Sequence, residues 1–86
     1  MSIDTPPPNC LIAPDLGMGP VPVAVSVWLV AEGQPVVEGD RVVELVCGGA
    51  TVDLEAPVTG RLVRHCIEED EPVTAGMRLA EFEAET

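Results

Sequence analysis

The chain repeats itself. Residues 32–46 align with residues 69–83 at a constant offset of 37. Six aligned positions are identical: Glu32/Glu69, Pro35/Pro72, Val36/Val73, Gly39/Gly76, Arg41/Arg78 and Glu44/Glu81. Hydrophobic partners follow, as in Val43/Ala80 and Leu45/Phe82. Within 86 residues there is room for one small domain. Two similar halves in one domain predict a quasi-two-fold fold with two interlocked sheets. The segment between the halves, residues 46–50, should project at one end. Its symmetry-related position falls near the C-terminus.

The elements within each half read as short strands. Apolar residues make up 47% of the chain, enough for a packed interior. Trp28 and Phe82 are the only residues of the Phe, Trp and Tyr class, so β-branched aliphatics, chiefly valine, must fill the core. Residues 10–14 suggest a short edge strand. Residues 23–30 are apolar on both parities, as in a strand covered on both faces or lying where its sheet bends. Residues 41–46 place Val43 and Leu45 on one face and Glu44 on the other. Gly48-Gly49 is a tight hairpin signal, because both positions tolerate positive φ. Residues 51–55 alternate, with Val52 and Leu54 inward and Asp53 and Glu55 outward. Further strands are expected at 60–67 and 79–83. Turns are expected at residues 32–35 and 38–40, and Glu68-Glu69-Asp70-Glu71 reads as a solvated acidic turn. No segment shows helical periodicity, so the fold class is all-β. Residues 1–9, which include Pro6, Pro7 and Pro8, read as a flexible N-terminal tail before a domain spanning 10–86.

Charge narrows the partners. Fifteen acids against four bases give a formal net charge of −11. Nucleic acid and anionic membrane both need cationic contacts, so neither is expected as a partner. A protein with a basic docking surface would be steered in. The longest apolar run is too short to span a bilayer. Cys10, Cys47 and Cys66 are widely spaced and odd in number, and no basic, apolar leader is visible. These features point to a reducing cytoplasm.

Taken in order, several segments resemble the biotinyl/lipoyl attachment domain family, most closely the lipoyl domains of 2-oxoacid dehydrogenase acyltransferases. Ile12-Ala13-Pro14-Asp15-Leu16-Gly17 is similar to the family's opening strand and turn. Trp28-Leu29-Val30, Glu32-Gly33, Val36, Gly39-Asp40 and Val42 look like its middle signature. Ala50-Thr51-Val52-Asp53-Leu54-Glu55-Ala56-Pro57 with Gly60 looks like the strand after the modified turn, and Val73, Gly76 and Leu79 complete the second half. The resemblance implies a flattened barrel-sandwich hybrid of two four-stranded antiparallel sheets. It also implies a lysine on the central hairpin, carrying lipoate or biotin by an amide. The four cations here are Arg41, Arg61, Arg64 and Arg78, and there is no lysine. Val46, Cys47, Gly48 and Gly49 occupy the hairpin before Ala50, with Gly49 where the lysine belongs.

Neither lipoate nor biotin is therefore expected as a cofactor, because a ligase needs an ε-amine. The α-amine of Met1 sits on the tail and is a poor substitute. Three functions follow. The chain is a non-catalytic binding or docking module of a 2-oxoacid dehydrogenase or carboxylase-type assembly, a swinging-arm carrier modified at Cys47, or a structural scaffold module. For Cys47 the neighbours are apolar residues or glycine, with nothing to lower a thiol pKa. His65 and Cys66 are adjacent on a strand and point to opposite faces, and four spaced ligands are missing, so no metal site is expected. The acidic run lacks the ligand spacing and central glycine of a calcium loop. Ser2 in the tail and Ser26 in mid-strand lack a base and an orienting acid, so no active site is expected.

Overall fold

The computed structural model describes residues 9–17 and 19–85. Eight strands follow in order: β1 (Asn9–Ile12), β2 (Val23–Trp28), β3 (Pro35–Val36), β4 (Arg41–Cys47), β5 (Ala50–Glu55), β6 (Gly60–His65), β7 (Pro72–Val73) and β8 (Arg78–Ala84). They form two four-stranded antiparallel sheets, ordered β1-β8-β6-β3 and β5-β4-β2-β7, which are not closed into a barrel. This is the flattened two-sheet architecture expected. Asn9, assigned above to the tail, stands in β1 opposite Phe82. The rest of that expected tail lies outside the described residues.

The repeat extends through the whole architecture. β2 and β6, β3 and β7, and β4 and β8 each begin 37 residues apart. β1 and β5 correspond at a second offset, 43, which aligns Leu11-Ile12-Ala13-Pro14 with Leu54-Glu55-Ala56-Pro57. Each sheet takes one strand from every pair, so the halves interlock. Even the irregularities recur. β2 shifts register against β4 between Val25 and Val27, and β6 shifts against β8 between Leu62 and Arg64. An extra residue bends its strand and increases the local twist. That bend is why residues 23–30 are apolar on both parities.

Valine and leucine fill the space between the sheets. Val25, Val42, Val43, Leu45, Leu62, Leu79 and Phe82 are fully enclosed, and no polar side chain is buried among the described residues. β3 and β7 give no strand signal in the sequence. Each is two residues long and begins with a proline, which cannot donate to a ladder and normally argues against a strand. No helix of the described residues is long and apolar enough to cross a membrane.

At the quasi-two-fold axis Trp28 meets its own counterpart, His65. Their rings stack with centroids 3.9 Å apart and planes at 15°. The bonds around them are reciprocal. Trp28 Nε1 donates to the Ile67 carbonyl at 2.9 Å, and His65 Nε2 lies 2.8 Å from the Val30 carbonyl. A carbonyl can only accept, so that proton resides on Nε2 of His65. Glu69 accepts the backbone N–H of Trp28, and Glu32 accepts that of His65. Each half thus closes the other.

Candidate functional site

The central hairpin is built by strand parity and two glycines. β4 and β5 pair up to Cys47 opposite Ala50, leaving Gly48 and Gly49 as a two-residue loop. Their φ values of 55° and 91° match a type I′ turn, whose twist suits antiparallel strands. A φ near +90° lies beyond the left-handed basin of ordinary residues, so the second position is a glycine conformation. A Cβ on Gly48 would meet Val21 Cγ1 at 2.9 Å, whereas one on Gly49 would meet open space. Beside the turn lies a cleft of about 330 Å³, with Asp15, Leu16, Val21, Leu45 and Val73 among its lining residues. Asp15, one of its lining residues, accepts the N–H of Gly17 at 2.8 Å and holds the loop.

Cys47 lies inward. It shares its face with Val43 and Leu45, and its exposure is 1%. A sulfur so deeply buried has almost no solvent access. Cys47 in the folded chain is therefore expected to resist iodoacetamide and to label only with unfolding, as followed by mass spectrometry across a urea series. Cys66 is expected to label more slowly than a free thiol. Burial pushes its pKa up, and the hydrogen bond with Arg64 offsets only part of that.

The remaining candidates do not assemble into a site. His65 stacks on Trp28, while Cys66 Sγ lies 3.9 Å from Glu81 Oε2. The two side chains have separate surroundings, as their adjacency implied. Among the described residues no cluster of three or more His, Cys, Asp or Glu side chains could hold a metal ion. The run Glu68 to Glu71 is exposed but does more than stay solvated. Glu71 accepts the N–H of Glu68 at 2.7 Å, and Asp70 takes a φ of 73° where its counterpart Gly33 takes 87°. Asp tolerates that conformation better than most residues.

The family model described as biotin-requiring enzyme matches residues 9–82, most of the chain. The chain belongs to this biotin/lipoyl family. No curated protein matches it. Domains of the biotin/lipoyl family are carriers rather than catalysts, and they act with partner enzymes in complexes. This biotin/lipoyl domain does not fit the group its family carries. The hairpin presents Gly49, which has no side-chain amine, and no lysine exists elsewhere to replace it.

Proposed function

We propose that this chain is a biotin/lipoyl family domain that carries no arm and serves as a binding or docking module, in an assembly of the 2-oxoacid dehydrogenase or carboxylase type. One observation carries the reading: the tip of the hairpin is a glycine turn with no amine. An amide to lipoate or biotin needs a nucleophilic nitrogen on a side chain long enough to enter a ligase. Gly49 supplies neither, and arginine, always protonated, is no substitute. A glycine in that place is compatible with the scaffold, because a side chain there would meet open space and add no packing at its Cβ. The strongly acidic chain suits a partner with a basic docking surface.

Incubation of the purified chain with lipoate ligase or biotin ligase, ATP and the free acid is expected to leave it unlabelled under conditions that label a lysine-bearing family member to completion. Stoichiometric incorporation would overturn the reading. The second reading, an arm on Cys47, requires the sulfur to leave the interior, and its burial speaks against it.

A further inference from the structure

The repeat provides an internal comparison between two sheet edges. β1 ends one sheet and β5 ends the other. Asn9, Cys10, Leu11 and Ile12 face Phe82, Glu81, Ala80 and Arg78 of β8. In the same way Val52, Asp53, Leu54 and Glu55 face Leu45, Glu44, Val43 and Arg41 of β4. The two edges are one backbone arrangement presented twice. An open edge invites pairing with another chain, and proteins commonly guard it with charge. β5 is guarded by Asp53 and Glu55. At the corresponding places β1 has Cys10 and Ile12, and no residue of Asn9–Ile12 is charged.

Backbone direction makes Ile12 available. Ala13 donates to the Met77 carbonyl and accepts from the Gly76 N–H, both at 2.8 Å, so its polar groups point toward the β8 side. Alternation along a strand turns the N–H and C=O of Ile12 the opposite way, off the edge. Its side chain is 47% exposed, and no described strand lies beyond it.

The arginine beside each edge indicates what is missing. Arg41 Nη1 lies 3.2 Å from Asp53 Oδ2, an acid of the edge strand. Its counterpart Arg78 faces an edge without an acid. It lies 3.3 Å from Glu81 Oε2, an oxygen already 2.7 Å from Arg64 Nη2. Two guanidiniums on one carboxylate leave a net positive charge, and their side chains are 48% and 59% exposed. Each guanidinium keeps donors for a further anion.

We propose that the β1 edge pairs with an extended strand of a partner protein whose acidic side chains lie on the face shared with Ile12 and Arg78. Main-chain bonds to Ile12 supply affinity, and carboxylates near Arg78 and Arg64 supply selectivity. A second copy of this chain fits poorly. Its own β1 has no acid and would set arginines against arginines. The overall negative charge acts at longer range and is screened over about 8 Å at physiological salt. A partner with a basic body and an acidic docking strand satisfies both fields. The proposal deepens the docking reading and rests on it for its biological role.

The test titrates the full chain with capped synthetic peptides of alternating valine and glutamate, or valine and lysine, and follows amide shifts and hydrogen exchange. The glutamate peptide is expected to shift β1 and Arg78 resonances and to slow exchange at the Ile12 amide, with the lysine peptide at least about tenfold weaker. Ile12→Glu rebuilds the guard found at Glu55 and is expected to weaken binding by at least about tenfold, with Trp28 fluorescence unchanged. Arg78→Gln is expected to narrow the preference between peptides. Four results would overturn the proposal: no response at β1, equal response to both peptides, binding only after removal of residues 1–8, or concentration-dependent self-association that protects Ile12 without peptide. None of these outcomes depends on what position 49 carries. Failure here leaves the bare-hairpin result standing, and an acyl group found on the chain would leave edge binding standing.

Discussion

Replacing Phe82 with alanine is expected to lower the free energy of unfolding by about 3–5 kcal/mol. Phe82 is 2% exposed, sits in β8 between Asn9 of β1 and Leu62 of β6, and is the one phenylalanine of the chain. The buried core to which it belongs consists mainly of valine and leucine. Valine is stiff about χ1 and cannot swing into the gap, so relaxation recovers little of the loss. A domain of this size has a total stability near the low end of about 5–15 kcal/mol. The variant should therefore be close to unfolded without denaturant. The shift of the urea midpoint, followed by Trp28 fluorescence, measures the effect. A loss below about 1 kcal/mol would mean that the two halves do not share the core described.

The double substitution Gly48→Asp with Gly49→Lys is expected to make the chain accept a single lipoyl group from lipoate ligase, where the unsubstituted chain is expected to accept none. The amine would then stand on an exposed two-residue turn, with open space around the Cβ of position 49. The change has a structural cost. Lysine must take or relax a φ of 91°, and the aspartate Cβ must displace the Val21 side chain from 2.9 Å. Strain of this kind amounts to about 1–3 kcal/mol. Aspartate at position 48 contributes the smaller part, since its φ of 55° is one that Asp adopts. Ligase labelling and a urea titration on the same sample separate the two effects. A folded variant that takes no lipoate would show that the hairpin has lost its presenting backbone together with its amine.

Most of the fold was legible because the sequence contains it twice. The offset of 37 that aligns Glu32 with Glu69 also carries β2 onto β6 and β4 onto β8. The same offset pairs Trp28 with His65, but the identities begin only at Glu32, so the reciprocal stack at the axis went unseen. Chemically unlike residues there give no repeat signal. The second offset, which pairs Leu11 to Pro14 with Leu54 to Pro57, was missed because β1 and β5 follow different connections along the chain. The hairpin type followed directly from Gly48-Gly49. Cys47 reads from its strand-end position as partly buried, and its parity with Val43 and Leu45 carries that to full burial. The contrast between the β1 and β5 edges emerges only after both offsets are in hand.

Absence of an arm is tested most directly by the intact mass of the chain purified from the cells that make it. The expected spectrum shows the mass of the unmodified polypeptide, with or without supplied lipoate or biotin. A species heavier by one lipoyl or biotinyl group, or an adduct lost on Cys47→Ser, would contradict the bare glycine hairpin as the functional form.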